Sequence, residues 1–233
     1  MKPVRNLGET QTPNGSRFSL HEHDGEFFFM IDGAQLMCTR ATVSERLLAD
    51  LACPFSKKKR PAKPRVLIGG LGLGYSLARV LELVGMRATV VVAELLPDVV
   101  RWNREFLQQV NGKLLDDPRV EVVTGDVYEC IRKAANDERT QYHAILLDVD
   151  NGPTALVQPQ NRQIYDPRGL GSIMAALKPG GRVAFWAATK EPKFIGQLER
   201  AGFKACGASS KAHERAKREA HWIYVGHKQS DLA

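Results

Sequence analysis

The chain has 233 residues, of which 43% are hydrophobic and 25% are charged. This composition is typical of a globular protein and excludes a disordered tail, a collagen-like chain and a disulfide-stapled miniprotein. No apolar stretch reaches the roughly 20 residues of a membrane helix, and the amino terminus has no signal-peptide core. Four widely separated cysteines predict free thiols, so we expect a cytoplasmic protein. The formal charge of +7 allows an anionic partner without assigning one.

The first forty residues predict a small antiparallel β meander. Strand-like residues occupy Arg17–His23, Glu26–Ile31 and Gln35–Arg40, separated by Asp24-Gly25 and Asp32-Gly33. Asp-Gly between such segments is a strong hairpin signal, because both turn residues tolerate positive φ. A sheet this small is not stable alone, so we expect it to pack on the main domain or on another subunit.

A short helix and a basic segment are expected to follow the meander. Residues 44–52 (SERLLADLA) have leucines at helical spacing, and residues 57–65 (KKKRPAKPR) combine six basic residues with two prolines. We interpret the basic segment as an exposed linker, since no aromatic residues interleave with its charges as a nucleic-acid-stacking surface would require. This divides the chain into a meander and helix (1–56), a linker (57–65) and an α/β domain (66–233).

The α/β domain is predicted from alternating short apolar runs and amphipathic stretches, which indicate a parallel sheet covered on both faces. Strands are expected at Val66–Ile68, Thr89–Ala93, Val120–Val123, Ala144–Leu147 and Val183–Trp186. Helices are expected at Leu77–Val84, Asp98–Val110, Tyr128–Ala135, Gly169–Leu177 and Phe194–Ala201. The last two strand-like segments, Phe203–Cys206 and Trp222–Val225, predict a closing hairpin-like pair.

The strongest local signal is the glycine-rich loop in RVLIGGLGLGYSLARVL, after the first strand of this domain. Gly70, Gly72 and Gly74 let the backbone turn sharply and approach a ligand, and the next helix offers its positive end. The spacing does not match a dinucleotide fingerprint, and no Lys-Ser/Thr pair marks a Walker loop. We therefore expect ligand binding without phosphate contacts; a purely structural turn is the alternative.

Four acidic residues follow the predicted strands at the sheet edge where open α/β folds bind ligands. Glu94 could accept hydrogen bonds from ribose hydroxyls, although strand-end glutamates are common. Asp126 could accept from an adenine amino group, cap the helix that begins near Val127, or do both through different oxygens. Asp148 and Asp150, in LLDVDNGP, are candidate catalytic or substrate-orienting groups.

Several of these segments resemble a known family. VLIGGLGLGYSL, VVVAEL, DDPRVEVVTGD, YHAILLD and LKPGGRV look like the class I S-adenosylmethionine-dependent transferases, and most closely the spermidine synthase-like branch. The resemblance covers about residues 17 to 206. It implies a Rossmann-like α/β sheet of seven strands, the last antiparallel, preceded by an antiparallel β meander. It also implies a homodimer formed through that meander.

The resemblance implies a site as well. An adenosyl sulfonium cofactor, S-adenosylmethionine or its decarboxylated form, would lie over Gly70, Gly72 and Gly74. Glu94 would then bind the ribose, and Asp126 with Val127 would lie near the adenine. Asp148 matches the aspartate that orients the attacking amine in aminopropyltransferases.

The chain also departs from the pattern of that branch. The aspartate that holds the amine of the decarboxylated cofactor aligns with Leu73, and a Tyr-His pair is replaced by SERLL. The DSSDPxGP loop is shortened to DVDNGP, and Gln35 falls one residue early, which would turn it to the other face of its strand.

These departures make methyl transfer from S-adenosylmethionine to a small-molecule acceptor the leading hypothesis. Aminopropyl transfer to an amine is the alternative, and an RNA modifier or nucleic-acid-binding module is the third, suggested by the basic runs at 57–65 and 211–218. Trp186 and Tyr165 could line the acceptor pocket or lie in the core. No metal site is predicted, since His21 and His23 form only a strand HxH.

Overall fold

The computed structural model describes residues 3–55, 61–211, 213, 215–216 and 218–230. The strands are β1 (Arg5–Gln11), β2 (Arg17–His23), β3 (Glu26–Ile31), β4 (Ala34–Cys38), β5 (Arg65–Gly69), β6 (Thr89–Glu94), β7 (Val120–Thr124), β8 (Tyr142–Leu147), β9 (Leu177–Ala187), β10 (Lys204–Lys211) and β11 (Glu219–His227). The helices are α1 (Val43–Ala52), α2 (Tyr75–Leu83), α3 (Pro97–Glu105), α4 (Gln108–Asn111), α5 (Val127–Ala135), α6 (Arg162–Tyr165), α7 (Pro167–Ala176) and α8 (Pro192–Arg200).

The amino-terminal meander has four strands in the order β1-β2-β3-β4. Both predicted Asp-Gly turns are confirmed, with φ of 50° at Asp24 and 47° at Asp32 followed by glycines at 81° and 82°. Strand β1 was not predicted, because RNLGETQ lacks the apolar alternation of a half-buried strand; it forms the edge of the sheet through its backbone pairing with β2.

Aromatic side chains attach the meander to the rest of the chain. The rings of Phe18 and Phe29 lie 5.1 Å apart, and Trp102 of α3 stacks on Phe18 at 6.2 Å. Phe29 and Trp102 are almost completely buried, and all three belong to the same core cluster as the strands of the large sheet. This packing supplies the support that a small sheet lacks alone.

The large sheet has seven strands in the order β10-β11-β9-β8-β5-β6-β7. Strands β5 to β9 pair in parallel, whereas β11 is antiparallel to both of its neighbours. The prediction of seven strands with an antiparallel last strand is confirmed, as is the closing hairpin. Strand β5 begins at Arg65, the last residue of the expected linker, and residues 56–60 lie outside the described part of the chain.

One predicted helix, Asp98–Val110, is divided in two. Helix α3 ends at Glu105, and α4 begins only at Gln108. Leu107 lies between the two helices and is completely buried. The helix is therefore interrupted at the point where this side chain packs in the core. In the described residues no helix is longer than ten residues, and none is long and apolar enough to cross a membrane.

Candidate active site

The main cleft lies at the carboxyl edge of the large sheet, between the ends of β5, β6, β7 and β8 and the inner face of the meander. It measures about 800 Å³ including its solvent-filled mouth. Its walls combine meander side chains, the glycine loop, the acidic strand ends and the segment after β8: among them Phe18, Phe29, Leu36, Met37, Gly70, Gly72, Glu94, Asp126, Val127, Asp148, Val157, Gln158 and Asn161.

Two of the predicted glycines form the floor of this cleft. Gly70 has a φ of +87°, and a Cβ there would overlap the carbonyl oxygen of Asp148. Gly72 has a φ of +51°, and a Cβ there would lie 3.0 Å from the sulfur of Met37. Any other residue at these positions would strain the backbone and crowd Asp148 or Met37 in the wall of the cleft.

Gly74 has a different position from the one predicted. It is the residue before α2, with a φ of +88°, and it faces Asn103 and Asn111 behind the loop rather than the cleft. Asn103 Nδ2 donates to the carbonyl of Gly72 at 2.9 Å, and Asn111 Nδ2 donates to that of Leu73 at 2.6 Å. Gly74 therefore allows these amides to support the loop from behind, a role that sequence reasoning missed.

Glu94 ends β6 and is buried, with 7% of its surface exposed. Its Oε2 accepts from the backbone N–H of Leu71 at 2.8 Å, and its Oε1 accepts from that of Leu96 at 2.9 Å. Burial raises the pKa of Glu94, while these backbone hydrogen bonds oppose the increase. The backbone N–H groups of Gly72 and Leu95 also bond to this carboxylate, which lines the cleft.

Asp126 caps helix α5, as predicted. Its Oδ1 accepts from the backbone N–H of Tyr128 at 2.8 Å, and its Oδ2 accepts from Gln163 Nε2 at 3.1 Å. Both Asp126 and the buried Val127 also line the cleft. The capping role and a position on the wall of the cleft thus coexist.

A second pocket of about 600 Å³ adjoins the cleft on the side of α1, β9 and β11. Asp148 lines both spaces, and Glu45 of α1 lines the second one. Burial raises the pKa of Asp148 to about 8, with a further contribution from Glu45. Burial also raises the pKa of Glu45, whose Oε2 accepts from the Ser44 hydroxyl at 2.7 Å. The two carboxyl groups form a site that favours a bound cation.

Asp150 is buried and forms hydrogen bonds within the loop after β8. It is 5% exposed, and its Oδ1 accepts from the backbone N–H of Val157 at 2.7 Å and from Asn161 Nδ2 at 3.0 Å. The expected pair of carboxylates therefore has two roles: Asp148 lies between the two spaces, whereas Asp150 stabilises their wall.

Comparison with known proteins identifies the family. The profile described as "Spermine/spermidine synthase domain" matches residues 45–197. The chain belongs to this family. Polyamine aminopropyltransferase 1 of Streptomyces coelicolor is 36% identical over 121 residues, which are 51% of this chain and 21% of that protein. The chain thus matches about a fifth of that relative's length.

Solved structures share the fold of this spermidine synthase-family chain. Spermidine synthase from Thermotoga maritima superposes with a TM-score of 0.69 at 18% identity, covering 97% of this chain and 73% of the other. Human methyltransferase-like protein 13 gives a TM-score of 0.55 at 19% identity, covering 84% of each chain. The resemblance to a class I methyltransferase-like fold is confirmed.

Two residues that depart from the family pattern, Leu73 and Gln35, line neither the cleft nor the second pocket. Leu73 is 3% exposed and belongs to the core. Gln35 is exposed and lines neither space, as its shifted register predicted, and a bulge after it leaves Leu36 and Met37 as the wall shared by the cleft and the second pocket.

The two candidate aromatic residues have different positions. Trp186 lines the second pocket, with the ring of His221 at 4.9 Å. Tyr165 does not line it; it is buried against Phe185 and Phe194. Glu45 lies in SERLL, the segment that replaces the Tyr-His pair, but was not itself singled out from the sequence. His221 belongs to no local motif, and tertiary packing brings both residues to the pocket.

Several basic residues far from the site stabilise helix ends. Arg119 donates to the carbonyl of Leu81 in α2 at 2.9 Å, and Arg182 donates to that of Leu51 in α1 at 3.3 Å. Positive charge is favourable at helix carboxyl ends, so part of the net charge has a structural role. The predicted basic runs lie partly outside the described residues. Within the described part of the chain, no group of three or more His, Cys, Asp or Glu is placed to hold a metal ion.

Proposed function

We propose that the protein transfers the aminopropyl group of decarboxylated S-adenosylmethionine to a primary amine. The charged side chains that line the two spaces are all acidic: Glu45, Glu94, Asp126, Asp148 and Asp150. No Lys or Arg is among the described residues that line them. S-adenosylmethionine would bring a carboxylate into these surroundings, where like charges repel. The decarboxylated form brings only positive charge, which lowers the pKa of Glu45 and Asp148 and so opposes the increase that burial causes in the empty pocket. This electrostatic selection is the observation that carries the proposal.

The methyl transfer favoured from the sequence is not supported by the comparisons, since the curated relatives are named polyamine aminopropyltransferases. The argument for it was the loss of an aspartate at Leu73. Because the Leu73 side chain is buried in the core, its substitution creates no site for a carboxylate. Glu45 and Asp148 supply negative charge from another direction.

The residues of the cleft fit an adenosyl group. Gly70 and Gly72 leave room for it at the end of β5, where a Cβ would intrude. In our proposal Glu94 accepts from the ribose hydroxyls while its backbone hydrogen bonds hold the carboxylate in place. Asp126 and Val127 lie beside the adenine. A sulfonium donor supplies a carbon that is already activated, so the protein has mainly to align the reactants.

Asp148 is the proposed base and orienting group. The amine nitrogen forms a bond to the terminal carbon of the aminopropyl group as the carbon–sulfur bond breaks, and the bonding electrons leave with a neutral thioether. The amine must attack unprotonated, and Asp148 takes up its proton and passes it to water. A carboxyl group with a pKa near 8 is a stronger base than an ordinary aspartate, which suits this task.

Parallel incubations with the two labelled donors and 1,4-diaminobutane test the proposal. We expect transfer from the decarboxylated donor only, and tighter calorimetric binding of that donor than of S-adenosylmethionine. Asp148→Asn should lower kcat by a factor of about 10² to 10⁴, whereas Glu129→Gln, on the exposed side of α5, should have no effect. Methyl transfer, or tighter binding of the carboxylate-bearing donor, would overturn the proposal.

We also propose that the protein forms a homodimer through the meander. Alternate residues of β3 support this: Phe27 and Phe29 are buried in the core, whereas Phe28 and Met30, on the other face, are partly exposed. Sedimentation equilibrium of the protein and of Phe28→Arg tests it. A dimer that the substitution converts to monomer is the expected result, and a wild-type monomer contradicts it.

A further inference from the structure

Unpaired polar atoms collect around the second pocket. Within the described residues, five buried side-chain nitrogen or oxygen atoms have no hydrogen-bond partner. Two of them belong to lining residues of this pocket: Trp186 Nε1 and His221 Nδ1. A buried polar atom without a partner destabilises a protein, so a ligand that pairs with these two atoms would be favoured in this pocket.

The sheet order places these atoms beside the proposed base. Asp148 follows β8, Trp186 is near the end of β9, and His221 is on β11, which are consecutive strands of the sheet. Adjacent strands are about 4.8 Å apart, so the backbones that carry the Trp186 and His221 rings are one and two strand spacings from Asp148. A molecule of a few carbons with its amine at Asp148 would reach them with its other end.

The chemistry of the two atoms selects that other end. An indole N–H only donates, so Trp186 needs an acceptor, whereas a neutral imidazole nitrogen donates or accepts according to its tautomer. Burial lowers the pKa of His221, so its ring is neutral and adds no charge. A second ammonium could donate to His221 but could not accept from Trp186. A hydroxyl or a carboxamide does both.

We infer that the acceptor is a primary amine whose other end carries a neutral group that both donates and accepts hydrogen bonds, such as a hydroxyl or a carboxamide. This inference rests on the proposed function and names the substrate class of its acceptor pocket. Glu45 and Asp148 hold the amine, and Trp186 with His221 recognises the neutral end.

Three amines of equal chain length separate the possibilities: 4-amino-1-butanol, 1,4-diaminobutane and n-butylamine. We measure kcat/KM for each with the decarboxylated donor and, independently, calorimetric binding of each to the protein alone. We expect 4-amino-1-butanol to exceed both others by about fivefold in each measurement, since one hydrogen bond contributes about 1 kcal/mol.

Trp186→Phe removes the N–H and keeps an aromatic ring. It should abolish the preference of 4-amino-1-butanol over n-butylamine and leave n-butylamine nearly unchanged. Trp222→Phe is the matched control, because Trp222 is on β11 beside Lys190 and lines neither space. His221→Phe provides a second variant in case Trp186→Phe does not fold, and we expect the same loss of preference.

The outcomes distinguish the two proposals. Tenfold preference for 1,4-diaminobutane would overturn this inference and leave aminopropyl transfer standing. If no amine accepts the group, the proposed function fails, and the calorimetric preference still decides which end the pocket recognises. An equal decrease in kcat/KM for all three amines in Trp186→Phe would also overturn the inference, since it would show a role for the ring and none for its N–H.

Discussion

Removal of the amide that supports the glycine loop tests how the cleft is built. Asn103 is 4% exposed, and its Nδ2 donates at 2.9 Å to the carbonyls of Gly72 and of Val99 in its own helix. Its Oδ1 also accepts from Asn111 Nδ2 at 3.3 Å. Asn103→Leu keeps the approximate size of the side chain and removes these three hydrogen bonds.

At about 1 kcal/mol for each hydrogen bond, the substitution should lower the free energy of unfolding by about 3 kcal/mol. For a chain of this length, that corresponds to a fall of about 6 to 12 °C in Tm. The substitution would also remove the hydrogen bond that constrains Gly72. We therefore expect calorimetry, carried out well below the new Tm where the protein is still folded, to show weaker donor binding than in the wild type.

The matched control is Asn136→Leu at the end of α5. Asn136 Nδ2 makes one exposed hydrogen bond, at 2.9 Å to the carbonyl of Arg132, and lies away from both spaces. This substitution should lower the free energy of unfolding by less than about 1 kcal/mol and leave donor binding unchanged. If Asn103→Leu unfolds with the same free energy as the control, or binds the donor normally, then the loop does not depend on this amide.

Three further perturbations follow from the structure. Because Asp148 has a pKa of about 8 in the folded protein against 3.8 ordinarily, its contribution to stability is complete below about pH 4 and is lost as the pH rises through 8. Urea denaturation at about pH 5 and pH 9 should therefore show a larger fall in stability for the wild type than for Asp148→Asn; equal falls would contradict the raised pKa. Gly70→Ala should destabilise the protein and abolish donor binding measured by calorimetry. Gly171→Ala, in α7 with nothing within 4 Å of an added Cβ, should instead stabilise the protein by roughly 0.5–1 kcal/mol. Normal donor binding by Gly70→Ala would show that the loop tolerates a side chain at this position. Phe29→Ala should lower the free energy of unfolding by about 3–5 kcal/mol, because Phe29 is 1% exposed and packs on Trp102; thermal or urea unfolding measures this, and a loss below about 1 kcal/mol would show that the meander contributes little to the core.

The sheet and its turns could be predicted because their signals are local. The Asp-Gly pairs determine the hairpins through the φ angles that those two residues tolerate, and the short apolar runs mark buried strands. Strand β1 was not predicted, because its residues show no such pattern and it is stabilised by backbone pairing with β2.

Neighbouring residues are enough to predict the glycine loop, the acidic strand ends and therefore the edge of the sheet at which the cleft lies. Packing between distant segments places Gly74 against Asn111 behind the loop and holds Asp150 in hydrogen bonds to its own loop. It also brought Glu45, Trp186 and His221 to one pocket from α1, β9 and β11. Residues so far apart in the chain meet through packing of the whole core, and no spacing between neighbours encodes that meeting.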